Sequence, residues 1–72
     1  HSTVLDLGCG TGALGRWLTT QTSCTMDGVT LNETEAQLAR ASYRKVVIGD
    51  LERLRLDQHF ATGTYDFIVC AD

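Results

Sequence analysis

Apolar and polar positions along this chain change rhythm several times. Val4, Leu5 and Leu7 form a short apolar run broken only by Asp6, which predicts a first strand over residues 3–7. Three alternate glycines follow, and then Leu14, Trp17 and Leu18 recur at helical spacing. That spacing puts them on one face of a helix, with Trp17 expected in the core. The pattern fades into Thr19-Thr20-Gln21-Thr22-Ser23, a run of poor helix formers. Residues 24–29 read as a second strand. Asn32 is a candidate N-cap, with Glu35 three positions on to complete a capping box. Ala36, Leu38, Ala39 and Tyr43 give the second helix an apolar side, ending near Ser42. Val46, Val47 and Ile48 are β-branched and consecutive, as in a short strand buried on both faces, and Gly49-Asp50 ends it. A brief helical turn is expected within residues 51–56, a loop over 57–64 and a fourth strand over 65–70.

Strands alternating with helical segments imply right-handed crossovers and a parallel sheet, so the fold class is α/β and Rossmann-like with flanking helices. A chain of 72 residues buries only about 60% of its unfolded surface. A parallel sheet also needs cover on both faces, for which few helices are present. Residues 1–72 therefore read as the front half of a larger domain, truncated after the fourth strand.

Charge and cysteine content narrow the chemistry. A net charge of −3 argues against a nucleic-acid surface. The basic residues Arg40, Arg44 and Lys45 gather after the second helix, where cations favour the negative end of its dipole. No apolar run approaches the roughly 20 residues of a membrane span. Cys9, Cys24 and Cys70 lack metal-ligand spacing, so no metal site is expected. Their odd number and apolar settings fit reduced thiols in the cytoplasm. Cys24 and Cys70 read as small core residues of strands. Neither His1 nor His59 is placed to activate a thiol.

In open α/β sheets a ligand lies beyond the C-terminal ends of the strands. Four groups fall there: Asp6 with Gly8, Cys9, Gly10 and Gly12; Thr30; Asp50 with Leu51; and Ala71 with Asp72. Glycines permit positive φ and close approach of a ligand to the main chain, and the N–H groups opening the next helix attract polar or anionic ligand atoms. This arrangement is a cofactor cradle.

VLDLGCGTGALGRWL at 4–18, DGVTLNETEAQLAR at 27–40, VVIGDLERL at 46–54 and YDFIVCAD at 65–72 together resemble the class I methyltransferases that use S-adenosylmethionine. The blocks cover most of the chain. The resemblance implies a sheet ordered 3-2-1-4 and S-adenosylmethionine as cofactor. It further implies that Gly8, Cys9, Gly10 and Gly12 pass beneath the methionine and ribose through their main chain, and that Asp6 orients the amino group. Asp50 would accept from the adenine amino group, Leu51 would contact the ring, and the Ala71 carbonyl would lie near the methionine end. Asp72 falls toward the reaction end, but no catalytic base is assigned. The tail lacks the Asn-Pro-Pro-Tyr ending of many amino-group and nucleic-acid methylases, which leans toward a small-molecule, lipid or sugar-linked acceptor.

One departure stands out. Such enzymes usually close the second strand with an acid that receives both ribose hydroxyls, whereas this chain has Gly28-Val29-Thr30. A threonine offers one neutral hydrogen bond in place of two charge-assisted ones. Either binding is weaker, or Asn32 or Glu33 compensates, or activity is lost. Asp27 points to another face from Gly28. Two other readings compete. Gly10-Thr11-Gly12-Ala13-Leu14-Gly15 is a literal G-x-G-x-x-G, as in NAD(P)- or flavin-dependent oxidoreductases, but the acid expected about 20 residues on is replaced by Thr30. A non-catalytic binding module on the same fold is the second.

Overall fold

The computed structural model describes residues 1–70. Strand β1 (Ser2–Leu7) leads through the glycine turn into helix α1 (Ala13–Gln21). Strand β2 (Cys24–Thr30), helix α2 (Glu33–Ala39) and strand β3 (Lys45–Ile48) follow. The single helical turn α3 (Leu56–His59), a 3-10 turn at Thr62–Thr64 and strand β4 (Phe67–Cys70) complete the described chain. All four strands are parallel, in the order β3-β2-β1-β4. The expected Rossmann-like sheet, with its crossing from β3 back to the β4 edge, is the observed one.

Alternation along β1 and β2 sorts the core into two layers. Val4 and Met26 face α1 and α2, where they pack with Ala36, Ala39, Tyr43 and Val46. Leu5 and Val29 face the other way, onto Phe60, with Leu54, Leu56 and Tyr65 packed alongside. The second face is thus closed by the connection between β3 and β4 and not by a long helix. Phe60 and Tyr65 meet edge to face at 6.3 Å, a favoured aromatic geometry.

Several local expectations need correction. Trp17 is 60% exposed. The face of α1 that packs inward centres on Gly15, and Trp17, two residues on, turns away from it. Leu38 is exposed for the same reason: α2 buries Ala36 and Ala39. The helix α1 continues through Thr19 and Thr20, whose hydroxyls donate to the carbonyls of Gly15 (2.7 Å) and Trp17 (2.7 Å) and so stay within the helix. Within 51–56 the chain makes a single hydrogen-bonded turn, with the Arg53 and Leu54 N–H groups donating to the Asp50 carbonyl, and the span expected as loop over 57–64 instead holds most of the helical turn Leu56–His59 and the 3-10 turn Thr62–Thr64. Cys70 is exposed, since β4 is an outer strand with a free edge among the described residues. Ile48, on the opposite outer strand, is also exposed and not buried on both faces.

Candidate cofactor site

The glycine turn is a backbone structure first. Gly8, Gly10 and Gly12 have φ of 88°, 55° and 89°, a region that side chains disfavour. The N–H groups of Gly8 and Cys9 both donate to the Val29 carbonyl, at 2.9 and 2.8 Å, which ties the turn to the end of β2. Gly12 then opens α1 without a side-chain cap. Because the strands are parallel and in register, the ends of β1, β2 and β3 lie side by side. A cleft of about 450 Å³ forms there, lined by Gly8, Gly10, Thr30, Leu31, Glu35, Gly49, Asp50 and Leu51, among others. Residues far apart in sequence therefore converge on one crevice.

Asp6 lies behind the turn, 2% exposed, and does not line the cleft. Its Oδ2 accepts the Tyr43 hydroxyl at 2.6 Å, and the Tyr43 oxygen in turn accepts the Gly15 N–H at 3.0 Å. Its Oδ1 is buried with no partner. A buried polar atom without a partner costs about 1–3 kcal/mol. The Gly8 and Cys9 N–H groups go to Val29, so Asp6 is no cap for the turn. Burial, and then the Asp6 carboxyl, push the Tyr43 phenol well above its ordinary range.

Tyr43 was legible only as an apolar helix-side residue; its hydroxyl is the centre of the site's support. The clue lay in the glycines. A Cβ on Gly15 would stand 2.1 Å from the Tyr43 ring. The last glycine of the G-x-G-x-x-G run thus makes room for an aromatic side chain and not for a ligand.

Cys9 is buried, and burial together with Asp6 pushes its thiol up to about 11. It is protonated at neutral pH and cannot serve as a nucleophile there. Asp50, at the β3 end, is exposed; its Oδ1 accepts the Glu52 N–H at 3.0 Å, and its carbonyl accepts from Arg53 and Leu54. The acid therefore ends the strand and lines the cleft at once. Leu51 beside it is 40% exposed at the same wall. Ala71 and Asp72 lie outside the described residues.

The second-strand end differs from expectation in an informative way. Thr30 lines the cleft, but its hydroxyl donates to Glu35 Oε1 at 2.7 Å. Asn32 is the N-cap, accepting the Glu35 N–H at 2.9 Å. The reciprocal half of the capping box is replaced by the Thr30 contact. Glu33 pairs with Arg40 at 3.2 Å on the surface and is not in the cleft lining. The acid that lines the cleft beside the β2 end is Glu35, across from Asp50 and Glu52 of the β3 side.

The basic cluster is used internally. Arg44 bonds Asp27 with both Nε (3.1 Å) and Nη2 (2.6 Å), and Tyr65 donates to the same carboxylate. Lys45 donates to the His59 carbonyl and lies 5.0 Å over the Phe60 ring. Among the described residues there is no group of acids, histidines and cysteines fit to hold a metal, and no helix long and apolar enough to cross a membrane.

A turn of glycines at a β1 end, an acid at a β3 end and a 3-2-1-4 sheet define a nucleotide-cofactor domain of the Rossmann-like class. A methyltransferase-domain family model matches residues 4–72, and the chain belongs to that family. Among solved structures it is similar to a TehB-like SAM-dependent methyltransferase from Corynebacterium glutamicum, with 27% identity and a TM-score of 0.75. That match covers 99% of this chain and 37% of the other, so the chain spans little more than a third of its solved neighbour. No curated protein matches it. The family agrees with S-adenosylmethionine as the cofactor and with the Rossmann-like fold expected from the sequence.

Proposed function

We propose that residues 1–72 form the cofactor-binding part of a longer methyltransferase, which carries a methyl group from S-adenosylmethionine to a small-molecule acceptor. The observation that carries this reading is the convergence of Gly8 and Gly10 of the glycine turn, Thr30 with Glu35, and Asp50 with Leu51 on one cleft, while Cys9 and Gly12 pack behind it. The residues present suit the cofactor. Gly10 leaves the main chain bare for close approach, with only Glu35 Oε2 near the place of a missing Cβ, at 3.8 Å. The unpartnered Asp6 Oδ1, buried behind the turn and outside the cleft lining, has acceptor capacity that a bridging water would extend to a cationic amino group. Asp50 accepts from the adenine amino group, and Leu51 supplies apolar contact to the ring.

When bound, the sulfonium supplies an electrophilic methyl carbon: an acceptor lone pair forms the new bond as the carbon–sulfur bond breaks, leaving S-adenosylhomocysteine. The protein's share is orientation of the two reactants, which can lower a barrier by several kcal/mol. Three free cysteines support a reducing compartment, the cytoplasm.

Calorimetry of the full-length protein with S-adenosylhomocysteine tests the reading. Saturable binding is expected, weakened about tenfold by Asp50→Ala, on the scale of one charge-assisted hydrogen bond. NADH should give no saturable heat. Absence of S-adenosylhomocysteine binding at millimolar ligand overturns the reading, and binding without turnover over a broad acceptor panel identifies a non-catalytic module.

A further inference from the structure

We infer that Glu35, a helix residue, is the acceptor for the two ribose hydroxyls of the cofactor, and that Thr30 acts as its positioning residue. This assignment rests on the S-adenosylmethionine reading above and adds to it the group that distinguishes a ribose from its deoxy counterparts.

The geometry carries it in three steps. First, the Thr30 hydroxyl gives its proton to Glu35 Oε1 at 2.7 Å, so it has none to offer a ligand. Second, Glu35 is held from two directions: its main-chain N–H by Asn32 Oδ1 at 2.9 Å, and its carboxyl by Thr30. A side chain already fixed loses little further freedom on binding. Third, the other carboxyl oxygen, Oε2, lies toward the glycine turn, 3.8 Å from where a Cβ on Gly10 would stand. Space beside it is open, because Gly10 has no side chain and both residues line the cleft.

The covalent order of the cofactor then decides which part meets Glu35. With adenine at Asp50 and Leu51, and the methionine portion at the glycine turn, the part in between is the ribose. Glu35 lines the cleft that both walls share, with its Oε2 beside Gly10. A carboxylate presents acceptors only, and a vicinal diol presents two donors, so the two match. The acid missing from the end of β2 is supplied five residues later, from the first turn of α2, and the β2 residue is reduced to orienting it. Asn32 and Glu33 do not take this part, since Asn32 caps the helix and Glu33 pairs with Arg40.

Calorimetry of the full-length protein with S-adenosylhomocysteine and its 2′,3′-dideoxy analogue separates the possibilities. The natural protein should prefer the diol by about 10- to 100-fold, the range of hydrogen bonds to a charged acceptor. Glu35→Gln keeps the side-chain shape and the Asn32 cap; it should weaken S-adenosylhomocysteine by most of that factor and leave the analogue within about twofold. Thr30→Asp placed in the Glu35→Gln background should restore the preference, and a rescued double variant shows that folding was never at issue. Equal weakening of both ligands by Glu35→Gln, or no weakening of either, overturns the assignment. If the natural protein binds both ligands alike, Glu35 loses this role while the cofactor reading stands. If it binds neither, both fall together.

Discussion

Two buried aspartates sit on adjacent strands and face opposite layers of the sheet. Asp27 on β2 is 1% exposed and Asp6 on β1 is 2% exposed. Around Asp27 every oxygen is taken: Arg44 reaches both, and the Tyr65 hydroxyl adds a third contact. Around Asp6 only Oδ2 is taken, by Tyr43, and Oδ1 has no partner. The sheet flanks are equally protected from water, so burial does not separate them. Satisfaction does. A closed network holds β2, the segment before β3 and the segment before β4 together, which is a task of stability. An incomplete network at the C-terminal end of β1, behind the glycine turn, leaves acceptor capacity unused, which under the proposed function the bound ligand completes.

The largest effect is expected where the Asp6 region is tightest. Gly15→Ala would push a methyl group into the Tyr43 ring, with the nearest ring carbons at 2.1, 2.6 and 2.9 Å. The ring cannot stay and keep both of its hydrogen bonds. A loss of about 3 kcal/mol is expected, as for overpacking at a rigid contact, and denaturant unfolding measures it. Gly63, whose Cβ would meet nothing within 4 Å, is the control: Gly63→Ala should leave the midpoint within the effect of an ordinary surface change. Comparable midpoints for the two variants would mean that Tyr43 is not wedged against α1.

Tyr43→Phe removes only the hydroxyl. Asp6 then has neither oxygen partnered inside the protein, and the Gly15 N–H loses its acceptor. About 2 kcal/mol of destabilisation is expected, the cost of buried groups left unmatched. The sharper part of the comparison is affinity: S-adenosylhomocysteine should bind several-fold more weakly, because an unheld Asp6 no longer presents its free oxygen in one place. Unchanged affinity alongside the lost stability would make Asp6 a structural residue like Asp27.

Legibility in the sequence follows the range of the interactions. The four strands, the glycine turn and the N-cap at Asn32 were readable because each depends on residues within a few positions of one another. The cleft was readable one step further, because parallel strands must end on the same side, which brings Thr30 and Asp50 to the glycines. What could not be read is which acids find partners. Tyr43 reaches Asp6 across 37 positions and Tyr65 reaches Asp27 across 38, and nothing local marks either tyrosine as a donor. Glu35 was visible as a capping-box residue, yet its carboxyl has two possible acceptor tasks, and only the position of Thr30 decides between them. Trp17 failed for a different reason: a helix whose packing centre is a glycine hides that centre from a hydrophobic pattern.

The smallest effects belong to the Asp27 network and have a distinctive dependence on pH. Burial works against the Asp27 charge, but the Arg44 and Tyr65 hydrogen bonds outweigh it and hold the carboxyl below its ordinary value of 3.8. A depressed carboxylate contributes stability above its unfolded value and loses it as pH falls through the folded one. Arg44→Met should therefore cost about 1–2 kcal/mol at neutral pH, reduced by the exposure of the arginine, and the gap from the natural protein should narrow below about pH 4. Tyr65 moves the other way: burial first, and then its bond to Asp27, raise it from 10.0 to about 12. A raised phenol contributes stability below its unfolded value and loses it as pH climbs to the folded one. Tyr65→Phe should cost about 1 kcal/mol at neutral pH, a gap that closes between pH 10 and about 12. Cofactor affinity should be untouched by either substitution, since neither residue lines the cleft. A change in S-adenosylhomocysteine binding in Arg44→Met or Tyr65→Phe would join the two aspartate regions into one network and remove the distinction between them.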